Sequence, residues 1–224
     1  MLIKLKHILR IAKKTELQQI AFVLVVIAVI ATLVANNKKN EKVATPDSGN
    51  KVTLDLNVMS QCPFGIEAEN ELKGVFEQIG PVVNFNLNYI ANVDEKGNFS
   101  SLHGNNEVEG DKVQLCAKKY NPSKYFDMIL CQNENPSGIP DNWEYCAKRA
   151  GISEIDQIKN CYTGDESKTL LKENIAALKG KGITSSPTYF IDGRKYVGVL
   201  DQNSVLKVLC SSSVLKNYSA CKVI

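Results

Sequence analysis

The chain has 224 residues, room for one domain of ordinary size with appendages, and its 44% hydrophobic and 23% charged residues are a globular composition able to build a real core. Eight of the 27 basic residues lie in the first 42 positions against two acidic ones, leaving a mildly acidic body of 19 basic and 22 acidic residues. That balance carries no electrostatic footprint for nucleic acid and excludes it as a partner class.

Residues 1–19 are basic and polar, and residues 20–35 form an apolar run interrupted only by Thr32. As a helix the run would span roughly 24 Å at about 1.5 Å per residue, a little short of the ~30 Å hydrocarbon core but workable with flanking lysines. The bulky Leu33 spoils the best cleavage position, after Ala35, so the segment is predicted to be an uncleaved transmembrane signal anchor. Secretion after cleavage is the alternative. Residues 36–50, rich in Asn, Lys, Pro, Ser and Gly without apolar periodicity, are predicted to be a flexible linker.

Val52, Leu54, Leu56 and Val58 alternate with polar residues, the period of a half-buried strand, predicted over 51–58. Ala68, Leu72, Val75, Phe76 and Ile79 then recur at helical spacing, with Pro63 suited to the first helical position. Cys62 is thereby predicted at a helix N-terminus, where unpaired N–H groups and the helix dipole favour thiolate over thiol. Residues 82–90 alternate again, completing a β-α-β unit with parallel strands and pointing to an α/β domain. Residues 94–104 read as a polar loop. Helical patterns follow to Tyr162, a predicted insert at about 105–163, with Ser153 as the cap of its last helix. A longer helix bearing Leu171, Ile175 and Leu178 ends at Gly180-Lys181-Gly182. Strands are predicted over 188–192 and 195–199 around an Asp192-Gly193 turn, then a helix capped by Asp201, then a tail over 211–224.

Seven cysteines suit an oxidising compartment, so the body is predicted to be extracytoplasmic, whether periplasmic, extracellular or lumenal. No Cys-x-x-Cys pair occurs and the only histidines are His7 and His103, so structural zinc spacing is absent and no metal or other cofactor is expected. Parity leaves one cysteine over, and Cys62 is its natural identity. Around a link at 133–140 the remaining cysteines favour nested pairs, Cys131 with Cys146 and Cys116 with Cys161, and Cys210 with Cys221 closes the tail. Sequential pairing, 116 to 131 and 146 to 161, is the rival. Such crosslinks compensate for short helices that bury little surface.

Cys62-Pro63-Phe64-Gly65 between strand and helix, with Ser186-Pro187-Thr188 before a hairpin, resembles the thioredoxin superfamily, and the element order resembles its DsbA-like branch over about residues 51–210. The resemblance implies a cis peptide before Pro187 and a role for Ser186 and Pro187 in holding substrate. His103-Gly104, Glu107 and Cys116 are similar to the signature of the gamma-interferon-inducible lysosomal thiol reductase family, with Val108 where that family has Cys and Asp111 where it has Asn. His103 is assigned a structural role. Both families carry a second cysteine where this chain has Gly65. The function these residues imply is a membrane-anchored, extracytoplasmic thiol-disulfide oxidoreductase. Cys62 attacks disulfides of substrate proteins, and an external thiol or redox partner protein completes the cycle. The alternative is a redox-inert thioredoxin-fold binding module or chaperone. A thiol peroxidase is a weaker third reading, since the sequence places no activating polar group near Cys62. Asn98-Phe99-Ser100 and Asn217-Tyr218-Ser219 fit the glycosylation acceptor pattern.

Overall fold

The structure, a computed structural model, describes residues 51–223. The predicted anchor at 20–35 and linker at 36–50 lie outside the described residues. Among those residues no helix is long and apolar enough to cross a membrane.

The first strand, β1 (Val52–Val58), is central. It runs parallel to β2 (Val83–Tyr89) and antiparallel to β5 (Thr188–Ile191), which pairs with β6 (Arg194–Lys195), giving the sheet order β2-β1-β5-β6. Its alternating Val52, Leu54, Leu56 and Val58 are fully buried, and near its end Asn57 is buried too, its amide donating to Thr188 C=O at 2.9 Å. Helix α1 (Pro63–Ile79) returns across the sheet and buries Ala68, Leu72, Val75 and Ile79, the residues whose 3.6-residue spacing marks its inner face. Phe76, Phe85 and Phe126 close the side of this core, with ring centroids 4.8–5.3 Å apart.

Between β2 and β5 stand α2 (Asn105–Tyr120), α3 (Tyr125–Asn133), α4 (Trp143–Arg149), α5 (Ile155–Thr163) and α6 (Asp165–Leu178). Disulfide Cys116–Cys161 joins α2 to α5, and Cys131–Cys146 joins α3 to α4, with Cα separations of 5.9 and 5.4 Å. The cysteines therefore form the nested arrangement and not the sequential one. After α7 (Gln202–Ser211) the chain turns back, Leu215 enters the core and Cys221 bonds to Cys210.

Three features differ from expectation. The polar stretch 94–104 is framed by a small hairpin of β3 (Asn92–Val93) with β4 (Phe99–Ser100), so the helical insert follows the fourth strand and not the second. Two-residue strands are too short to show alternation, and the turn is closed by the Asp94 side chain accepting from Lys96 N, Asn98 N and Asn98 Nδ2. Residues 196–199 do not extend the last strand. Tyr196 folds over Gly198 to donate to Val199 C=O at 3.0 Å, and among the described residues no element covers Val197 and Val199, which are exposed. The helix at 155 takes Glu154 and not Ser153 as its cap residue.

Candidate active site

β1 ends at Val58, and a turn closed by Cys62 N–H donating to Met59 C=O at 3.0 Å delivers Cys62 to the N-cap of α1. Extended dihedrals at Cys62 (φ −68°, ψ 119°) followed by Pro63, whose fixed φ suits the first turn, start the helix there, and Cys62 C=O receives the Ile66 N–H at 2.9 Å. Cys62 is the free cysteine, 5% exposed, beside a Phe64 that is 69% exposed. Its thiol donates to Ser186 C=O at 3.7 Å, and the Ser186–Pro187 peptide is cis. The structure thus brings Cys62, Pro63, Phe64, Gly65, Ser186 and Pro187 together, whereas the six disulfide cysteines stand elsewhere in the fold.

Ser186 fixes this junction through a second contact. Its hydroxyl accepts from Met59 N at 3.2 Å, tying the proline loop to the turn before the cysteine. A Cβ added at Gly65 would lie 2.9 Å from that Oγ, 3.2 Å from Val58 Cβ and 3.3 Å from Met59 C=O. Position 65 is therefore held to glycine on three sides, and the Ser186 hydroxyl fills the space a side chain there would need.

Behind the turn lies a support that the sequence indicated only through its resemblance. Gly104, at φ +96°, makes a left-handed turn into α2, a conformation that favours glycine. This aims the buried Glu107 carboxylate at four donors: Ser101 Oγ at 2.6 Å, His103 N at 3.0 Å, His103 Nδ1 at 2.7 Å and Gln61 N at 3.1 Å. His103 thus steadies Glu107, which holds the residue preceding the cysteine. Ser60 is fixed from the same helix, its N–H donating to Asp111 Oδ1 at 3.0 Å and its hydroxyl to Glu107 C=O at 2.9 Å. Gly110 allows the approach, since a Cβ there would meet Ser60 Oγ and Ile139 Cγ2 at 2.5 Å.

Deeper still are two buried carboxyls: Glu69, which sequence reasoning passed over, and Asp111, noted there only as standing where the family has Asn. Glu69 is fully buried, and desolvation pushes its pKa up to about 8 although Asn133 Nδ2 donates to it at 2.8 Å. Burial likewise raises Asp111 well above the ordinary carboxylate range, against the lowering effect of its Ser60 hydrogen bonds. Glu69 Oε1, Asp111 Oδ2, Tyr89 OH, Tyr125 OH, Asn133 Oδ1 and Gln114 Oε1 have no hydrogen-bond partner among the described residues. The available signal was positional, because Glu69 precedes Leu72, Phe76 and Ile79 at spacings of three, seven and ten on the apolar face. Among the described residues no group of three or more His, Cys, Asp or Glu side chains could hold a metal ion.

Two cavities flank the proline loop. One, of about 400 Å³, includes Phe64, Ala68, Ser186, Pro187, Val199 and Leu200 in its wall. The other, of about 580 Å³, includes Ile90, Val93, Ile175, Leu178 and Ile183.

Residues 53–150 match the family model described as gamma interferon inducible lysosomal thiol reductase (GILT). The chain is 25% identical over 182 residues to the gamma-interferon-inducible lysosomal thiol reductase of Carassius auratus, covering 76% of this chain and 72% of the relative. It is 27% identical over 176 residues to GILT-like protein 1 of Drosophila melanogaster, covering 65% and 68%. Among solved structures it superposes on the thiol-disulfide exchange protein alpha-DsbA2 of Wolbachia pipientis with a TM-score of 0.55 at 15% identity, covering 80% of this chain and 92% of the other. The thiol-disulfide oxidoreductase MdbA of Actinomyces oris superposes with a TM-score of 0.56 at 13% identity, covering 73% and 82%. At these identities the structural likeness speaks for a shared thioredoxin-like fold.

Proposed function

We propose that the chain, which is similar to the GILT family over residues 53–150, is a thiol-disulfide oxidoreductase working through the single cysteine Cys62. The observation that carries this reading is the free Cys62 at the N-cap of α1 with its sulfur 3.7 Å from Ser186 C=O, next to the cis-Pro187 peptide. The thiolate of Cys62 attacks one sulfur of a substrate disulfide, forming a mixed disulfide and releasing the other sulfur as a thiolate. Gly65 offers no resolving thiol. An external thiolate therefore attacks Cys62 Sγ and displaces the substrate's second sulfur, and a further external thiol frees Cys62. The net reaction reduces one substrate disulfide to two thiols and oxidises two external thiols to one disulfide. Ser186 and Pro187 position the substrate backbone against the sulfur.

The three disulfides of the body and the family of its relatives support an extracytoplasmic setting, and the apolar run at 20–35 supports attachment to a membrane. The test is insulin reduction by the purified full-length protein with added small thiol. The expected result is turnover that is lost in Cys62→Ser while the melting temperature is retained. Equal turnover by Cys62→Ser would sink the proposal. A binding module is the second reading, favoured by the 5% exposure of Cys62 and the glycine at 65. Retained capture of unfolded protein without turnover would support it.

A further inference from the structure

The two cavities beside the proline loop carry opposite charge. The one reached through Ser185, Ser186 and Pro187 takes Glu67, Glu71 and Asp201 into its wall and no Lys or Arg. The one reached through Gly182 and Ile183 takes Lys172 and Lys179 and no Asp or Glu. Lys195 adds a third cation beside it, its ammonium donating to Gly182 C=O at 2.9 Å. None of Glu67, Glu71, Asp201, Lys172 and Lys179 forms an ion pair among the described residues. Glu71 does accept from Gln202 N, and Asp201 caps α7, so Glu67 is the acid with its charge least engaged.

A single loop, residues 182–187, joins the cavities. Ile183 lines one and Ser185 the other, so a polypeptide laid along the loop passes between them within about 7 Å, two residue steps at roughly 3.3–3.6 Å each. Ser186, whose C=O faces the Cys62 sulfur, stands at the acidic end of that path.

The geometry points to a charge-polarised substrate site. It takes a polypeptide whose half-cystine is flanked by an apolar and basic residue on one side and an apolar and acidic residue on the other, the basic flank seated by Phe64 and Glu67 and the acidic flank by Leu178 and Lys179. Both walls are apolar enough to take a side-chain stem, and the oppositely charged rims fix which flank goes where. This inference rests on the thiol exchange proposed at Cys62 and adds the choice of substrate.

The test uses full-length protein and five heptapeptides with a central cysteine disulfide-bonded to 2-mercaptoethanol. Their flanks are Lys and Glu in either order, two Lys, two Glu, or two Gln, and the rate of Cys62 adduct formation is read by mass. One of the two mixed-charge orders should react about five-fold faster than the Gln peptide, a modest factor because exposed charge pairs are weak, and the advantage should vanish in about 1 M salt. Glu67→Lys should reverse the preference at the basic flank, and Lys179→Glu that at the acidic one. Five rates within two-fold of each other at low salt would overturn the inference. Bis(2-hydroxyethyl) disulfide, which has no flanks, separates the two proposals. If it modifies Cys62 while the peptides show no preference, the substrate site fails and thiol exchange stands. If neither it nor any peptide modifies Cys62, both fail.

Discussion

At position 65 the close approach of the Ser186 hydroxyl, the Val58 side chain and the Met59 carbonyl makes glycine and serine a matched pair. Restoring a second cysteine in Gly65→Cys alone therefore drives a Cβ to 2.9 Å from Ser186 Oγ, and overpacking of this kind typically costs ~1–3 kcal/mol. Ser186→Ala removes the clashing oxygen but leaves Met59 N–H without its acceptor, a loss of about 1 kcal/mol. The two substitutions should couple, since residues in contact are not additive. Urea denaturation should find the double variant more stable than the sum of the single effects allows. The double variant should also accumulate less mixed disulfide than the parent during insulin reduction, because a thiol at 65 can displace the substrate. Strict additivity of the single effects would show that Ser186 does not control this space.

The short helices α2 to α5 owe their arrangement to crosslinks as much as to apolar burial. Cys116–Cys161 spans 45 residues of sequence and Cys131–Cys146 spans 15. In the chain-entropy account the longer loop loses more unfolded-state freedom, so removing the first pair with two serines should cost roughly 4 kcal/mol and the second roughly 3. Comparing the urea midpoints of the two double variants checks this ordering, and equal losses would place the stabilisation in local packing instead. Spacing favoured these pairings over the sequential rival without excluding it, whereas the alternation of β1, the Cys-Pro start of α1 and the Asp201 cap, whose carboxylate accepts from Ser204 N at 3.0 Å, were plain in the sequence. Each of these is a local signal. What the sequence hid depends on distant partners. The chain leaves β6 at residues 196–199, where Val197 and Val199 find no covering element among the described residues, and Glu107 acquires its purpose from Gln61, 46 residues away. Likewise, the glycine at 110 is explained only by Ser60 and Ile139 pressing against it.

For the molecule as a whole, the buried carboxyls make stability depend on pH in the direction opposite to ordinary acid denaturation. Glu69 has a pKa of about 8 in the folded state against 4.5 for an ordinary glutamate, so the folded chain holds this proton more tightly than the unfolded chain. The unfolded state then releases the proton first as pH rises. The folded state loses stability from about pH 4.5 up to about pH 8, at no more than ~1.4 kcal/mol per pH unit for one group. Asp111, raised by the same desolvation and by the neighbouring Glu107 and Glu69 charges, contributes with the same sign. The exposed Asp94 and the half-buried Glu166 and Asp201, whose hydrogen bonds lower their pKa values, act oppositely but only at pH values below the ordinary carboxylate range. Between pH 5 and 8 the buried pair therefore sets the trend among the carboxyls. Glu69→Gln keeps an oxygen to accept from Asn133 and supplies an N–H where the protonated acid has its O–H, without a group that can ionise. Its melting temperature should lie near the parent's at pH 5 and rise progressively above it toward pH 8, by several degrees for a difference of a few kcal/mol. Melting curves of the two proteins at half-unit pH steps read the effect directly, and parallel pH profiles would mean that Glu69 is not held protonated in the fold.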